Sequence, residues 1–207
     1  MLLIRKLPAG ADITAHPEGI ARSGVTRSPT LRHVPQDASR TGLVIAVPEA
    51  EPAVAAHRLR LDASAALGAP AHVTVLFPFA PAGDLDHDAL GLVVGAVPAF
   101  PYRFSRTAWF DDRVLYLAPD DEAPFRELTD RVLAAFPAYP PFEGVFDDVV
   151  PHLTIGHDQP VRTLRAAEED VRPHLPVEGH ATEVLLLAQD EPGGRWRTAA
   201  SFPLSRR

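Results

Sequence analysis

The chain contains no cysteine. That excludes a disulfide framework, a thiolate zinc site and a cysteine nucleophile, and it fits a cytoplasmic setting. No apolar span is long enough to cross a bilayer. The opening Met-Leu-Leu-Ile is interrupted at once by Arg5 and Lys6. The apolar core of a signal peptide is therefore missing, and no membrane partner is expected. No glycine pair, Gly193-Gly194 included, stands in the Gly-Lys-Ser/Thr context of a nucleoside-triphosphatase loop. No Gly-x-Ser-x-Gly elbow is present, so a Ser-His-Asp hydrolase has no support.

What is present is ordinary for a globular protein. The 207 residues, 46% of them hydrophobic, suffice for one domain or for two small lobes sharing a core. The net charge is −7, unevenly spread. Residues 1–40 hold six basic and three acidic side chains, which leaves about −10 on the remainder. So acidic a body is poorly suited to gripping a long duplex through many phosphates. A nucleotide or the end of an RNA strand is still admissible, because one or two local arginines suffice.

Residues 1–40 show no sustained period and are dotted with Pro, Gly, Ser and Thr. They read as a disordered, non-core extension, with the domain spanning 41–207. Gly42–Val47 is an apolar run closed by Pro48, the mark of a buried strand. Glu51–Leu67 has helical character, and Ala71–Phe79 reads as a strand. Asp84 is placed to cap a helix over Leu85–Val97. Phe100–Phe110 and Arg113–Leu117 read as two strands joined in a hairpin at Asp111-Asp112. Glu122–Phe136 is amphipathic, with Phe125, Leu128, Val132 and Phe136 at helical spacing. A Pro-rich, aromatic loop (137–146), a strand at Val149–Ile155 and a helix at Val161–Leu175 follow. A strand at Thr182–Ala188, a Gly193-Gly194 turn and a last strand at Arg195–Leu204 complete the chain. Strands alternating with helices give α/β or α+β, and the two halves have a similar order.

One triplet occurs once in each half. His72-Val73-Thr74 and His152-Leu153-Thr154 both sit in strand-like apolar runs. With nine His and eleven Thr in the chain, random ordering gives roughly 0.2 such triplets, so a doubled one points to function. On a strand, residues i and i+2 share a face. Each copy thus pairs an imidazole with a hydroxyl. Histidine can both take and give a proton near neutrality. Cleaving a cyclic phosphodiester needs both acts, one on water and one on the departing ribose oxygen. The hydroxyls of Thr74 and Thr154 suit the non-bridging phosphate oxygens, where charge accumulates.

The pair His72-Val-Thr74 and His152-Leu-Thr154, with its spacing, resembles the double His-x-Thr/Ser signature of the 2H phosphoesterase superfamily. The segment His-Val-Thr-Val-Leu-Phe-Pro-Phe at 72–79 is especially similar to the bacterial 2′-5′ RNA ligase branch. The resemblance covers about Thr41 to Leu204. It implies a bilobal α+β fold, with two pseudo-symmetric antiparallel sheet lobes, outer helices and a central cleft. It implies phosphodiesterase or ligase activity on 2′,3′-cyclic or 2′-5′-linked RNA or nucleotide ends. His72, Thr74, His152 and Thr154 would be the catalytic residues, with no metal and no cofactor, in a monomer. The alternative is a module of the same fold that binds nucleotides or RNA ends without turnover.

Further candidates are Arg103, Arg195 and Trp196, as cations beside aromatics that could hold phosphate and stack on a base. His157 lies an odd number of positions from His152 and Thr154, so in a regular strand it faces away. His57, His87, His174 and His180 fall in helical or turn-like stretches and read as solvated. Asp111-Asp112 and Asp147-Asp148 fit turns and loops better than metal sites.

Overall fold

The computed structural model describes residues 40–81, 83–141 and 149–206. The expectations for residues 1–39, for Asp147-Asp148 and for the second half of the Pro-rich loop lie outside the described residues. The first described element is strand β1, Arg40–Ala46. Pro48 then opens a short 3-10 turn, since its missing N–H and fixed φ cannot continue the ladder.

The order after β1 is α1 (Glu51–Leu61), α2 (Ala63–Ala66), β2 (His72–Leu76), α3 (His87–Gly95), β3 (Phe100–Phe104), β4 (Arg106–Phe110) and β5 (Val114–Ala118). Then come α4 (Ala123–Ala135), β6 (Leu153–His157), α5 (Val161–Val171), β7 (Val177–Ala181), β8 (Glu183–Gln189) and β9 (Arg197–Pro203). The strands form three sheets, ordered β2-β1-β8-β9, β4-β5-β6 and β3-β7. Every pairing is antiparallel. The fold is therefore α+β.

Several expected elements are corrected. The helix expected over Glu51–Leu67 breaks at Asp62, whose extended backbone ends α1 and whose carboxylate caps α2 at Ser64 N. Asp86, not Asp84, caps α3 by accepting from Ala89 N. The expected strand Phe100–Phe110 divides at Ser105, which donates from N and Oγ to Asp120 Oδ1. Its first half pairs with β7, its second with β5. The hairpin at Asp111-Asp112 holds, with Asp111 at φ 50°, a conformation Asp tolerates. Strand β7 is an addition to the expected elements: Val-Glu-Gly-His-Ala is too polar and too short to signal a strand. Gly179 is needed there because the Tyr102 side chain lies over it, its hydroxyl 2.6 Å and its ring 2.7 Å from where a Cβ would stand. The helix expected to Leu175 ends at Val171, followed by a 3-10 turn.

Each motif strand is an edge strand. β2 ends one sheet and β6 ends another, and their Cα atoms approach within 8 Å. The helices cross over between lobes. α1 follows β1 yet packs on β6, and α4 follows β5 yet packs on β2. Thr129 of α4 donates to the Val75 carbonyl at 3.0 Å. Gly156 of β6 lets α1 in: a Cβ there would stand 2.7 Å from Leu61 Cβ and 2.9 Å from Leu164 Cδ2. Val73, Val75, Leu153 and Ile155 are buried in one continuous core. Burying each such side chain stabilises the fold by about 1.5–3 kcal/mol.

Candidate active site

The two motifs are built alike. His72 Nδ1 meets the Pro70 carbonyl at 2.6 Å, and His152 Nδ1 meets the Val150 carbonyl at 2.7 Å. A carbonyl only accepts, so each Nδ1 carries the proton and each Nε2 is left as the basic nitrogen. In both cases the acceptor lies two residues upstream. Each loop is thus folded back to orient its own ring.

The strands share a second device. Thr74 pairs with Val44, and the next partners are Leu76 and Leu43, so Val75 is an extra residue. Thr154 pairs with Tyr116, and the next partners are Gly156 and Leu115, so Ile155 is an extra residue. A β-bulge follows the Thr in both motifs. Each bulge reverses the alternation of faces beyond it.

Register then assigns the faces. On the second sheet, Tyr116, Val114 and their partners Thr154 and His157 share one side. His157 is therefore corrected: the bulge brings it onto the face of Thr154, which a regular strand would have denied it. Its Nδ1 lies 3.8 Å from Asp62 Oδ1. His152 directly precedes β6, which begins at Leu153 rather than Val149. Pairing cannot start earlier, because Arg126 takes the Val149 carbonyl at 3.0 Å, His152 takes that of Val150, and Pro151 has no N–H. The His152 ring stands edge-on to Phe110 at 5.0 Å and to Tyr116 at 5.3 Å. Sequence reasoning missed Phe110 and Tyr116, because their apolar neighbours on β4 and β5 disguise them as core.

On the first sheet, the bulge sets Phe77 on the face of Thr74, against Gly42, whose Cβ would lie 3.0 Å from the Phe77 ring. Trp196 meets Phe77 edge-on at 6.0 Å and donates its backbone N–H to the Leu67 carbonyl at 2.8 Å. Both rings are partly exposed. Trp196 thus lies by the motif face, while Arg195 is exposed beside Gly68. Arg103 is elsewhere, on β3, paired with Asp120 at 3.2 Å and with Glu178. Its charge is matched by two carboxylates. Of the remaining histidines, His57 is mostly buried, 3.8 Å from Asp170, and His180 is exposed on β7 rather than in a turn.

Both motif histidines are held neutral by their surroundings. Burial pushes His72 from 6.5 down to about 4, with Arg58 and His152 adding to the depression and the Pro70 carbonyl and Asp62 opposing it. Burial also pushes His152 down to about 4, against the Val150 carbonyl and Asp62. The two imidazoles therefore sense each other, and both sense Asp62. Among the described residues, no group of three or more His, Asp or Glu side chains could hold a metal ion. No helix among them is long and apolar enough to cross a membrane.

Solved structures similar to this one share the arrangement of elements. Escherichia coli LigT complexed with 3′-AMP matches with a TM-score of 0.55 and 17% identity, covering 81% of this chain and 98% of that one. TT0787 of Thermus thermophilus matches with a TM-score of 0.54 and 20% identity, over 81% and 99% of the two chains. These likenesses establish the bilobal fold. No sequence among curated proteins matches. The sequence profile of the 2′-5′ RNA ligase superfamily matches residues 47–193, which span both motifs. The chain belongs to the 2′-5′ RNA ligase superfamily, whose members are phosphoesterase- or RNA-ligase-like proteins.

Proposed function

We propose that the chain is a metal-independent phosphodiesterase or RNA ligase-like enzyme. Its substrates are 2′,3′-cyclic phosphate or 2′-5′-linked ends of RNA or nucleotides. The observation that carries this reading is the matched pair of motifs on adjoining edge strands, each with Nδ1 anchored and Nε2 left basic. In hydrolysis, one Nε2 takes a proton from water as its oxygen attacks phosphorus. The other imidazole, protonated, gives its proton to the departing ribose oxygen, and the P–O bond of the ring breaks. Thr74 and Thr154 donate to the non-bridging oxygens. With a 5′-hydroxyl in place of water the same transfers join two ends: its proton goes to the basic Nε2 as its oxygen bonds to phosphorus, and the ring P–O bond breaks as the departing ribose oxygen takes the proton of the other imidazole.

A site with two neutral imidazoles lacks the proton this cycle needs. An anionic phosphate supplies the remedy. Its charge favours the imidazolium and offsets the burial that opposes it, so substrate binding brings the proton in. The phosphate and 3′-AMP complexes of LigT support a ligand of this size. The partly exposed rings of Phe77 and Trp196 suit a base. Arg195 remains a candidate phosphate contact and Arg103 a weaker one, since its partners compete.

The test is hydrolysis of a 2′,3′-cyclic nucleotide and of a cyclic-phosphate RNA end in EDTA. Loss of turnover in His72→Ala and in His152→Ala is expected. Wild-type rates in both would sink the reading. Tight binding without product over long incubation would favour the non-catalytic binding module instead.

A further inference from the structure

Beneath the two motifs lies an ion pair that the proposed chemistry does not use. Arg58 of α1 is 2% exposed and Asp62, one turn on, 3% exposed. Their contact is 3.0 Å. Arg58 Nη1 donates at 2.8 Å to the Pro70 carbonyl, the same oxygen that accepts from His72 Nδ1. Asp62 Oδ1 accepts from Ser64 N at 2.9 Å and from Ser64 Oγ at 2.8 Å. The same oxygen lies 3.8 Å from His157.

The pair is poorly explained as a stabilising device. Buried ion pairs replaced by apolar side chains often leave a protein as stable or more so. Here Arg58 Nε is also buried without a hydrogen-bond partner among the described residues, a further penalty. The position explains it better. The C-terminal end of α1 reaches this seam only because Gly156 allows α1 to close on β6. His72 feels the charges of Arg58, Asp62 and His152, and His152 feels that of Asp62. The two motifs differ in where an arginine meets the loop: Arg58 takes the same carbonyl that orients His72, whereas Arg126 takes the Val149 carbonyl, one residue before the one that orients His152.

We propose that the Arg58–Asp62 pair is a positioning element for both motif histidines: Arg58 locks the carbonyl that orients His72, and Asp62 supplies one negative charge that His72 and His152 share. This deepens the acid–base reading above and rests on it for its meaning in turnover. Its electrostatic content is independent of turnover.

The experiment follows the ring nitrogen resonances of His72 and His152 in the full chain, without substrate, through the onset of protonation between about pH 7 and pH 4.5. In Asp62→Asn both imidazoles protonate at lower pH than in the wild type. In Arg58→Met/Asp62→Asn no lone charge is left buried. There His72 protonates about 1 unit higher than in Asp62→Asn, while His152 stays where Asp62→Asn put it. On a 2′,3′-cyclic nucleotide, kcat falls in both variants and its pH profile moves with His72, while KM stays within about twofold. Unmoved resonances in both variants overturn the proposal, leaving a structural ion pair only. If the double variant does not fold, Asp62→Asn decides alone: a joint downward shift supports the proposal and no shift overturns it. If the resonances move as expected but the wild type turns over no cyclic phosphate, the catalytic reading fails and the positioning role stands.

Discussion

Acid should destabilise this protein through two residues in particular. His72 and His152 each titrate near 6.5 when unfolded and are depressed to about 4 by burial in the fold. As pH falls from neutrality, the unfolded chain takes up these protons first, so stability falls with pH. The contribution is fully present above about pH 6.5, declines between there and about pH 4, and changes no further below. At about 1.4 kcal/mol per pH unit of separation, each imidazole accounts for about 3 kcal/mol. Near pH 5 the slope is about 1 kcal/mol per pH unit for each. The two sites repel when charged, so the second proton is the harder to add. The assay is urea unfolding of wild type, His72→Gln, His152→Gln and the double variant across this range. The wild type should lose about 3 kcal/mol more than either single variant on going from neutral pH to pH 4. Titrating groups remote from the two sites cancel in that difference, and the double variant removes the repulsion between the two imidazoles. Parallel pH profiles for wild type and double variant would refute the argument that these imidazoles are buried neutral.

Inorganic phosphate binding should draw protons into the site. Calorimetry at about pH 6 in buffers of different ionisation enthalpy should show uptake approaching one proton, and release or no exchange would count against the charge argument. His72→Ala and His152→Ala should each lower kcat by about 100-fold to 10,000-fold on a cyclic-phosphate end. Thr74→Val and Thr154→Val should each lower kcat by about 10-fold to 1,000-fold, while the Ser variants retain most of it. An equal loss in the Ser and Val variants would mean that the hydroxyl is not the active part. Gly156→Ala should destabilise by about 1–3 kcal/mol through its clash with Leu61 and Leu164, visible as a lowered urea midpoint; an unchanged midpoint would show that α1 is not closely seated on β6.

The Asp111-Asp112 hairpin and the helical face of Phe125, Leu128 and Val132 were legible in the chain because both are local patterns. Strand β7 was not, since Val177–Ala181 becomes a strand only by pairing with β3, some seventy-five residues away. The break at Ser105 has the same origin: two halves of one apolar run find different partners.

By itself, the sequence determined that two His/Thr pairs exist, each two positions apart in an apolar run, because spacing along an extended backbone fixes which side chains share a side. It also determined that cysteine chemistry is absent. Tertiary structure decided the rest. Bulges after Thr74 and Thr154 turned Phe77 and His157 onto the motif faces, against the parity a regular strand would give. Helix crossing brought Arg58 and Asp62 beneath histidines that lie far from them in the chain or in the opposite lobe. Bulges and crossings arise from pairing between distant segments, and no local pattern of residues records which segments will pair.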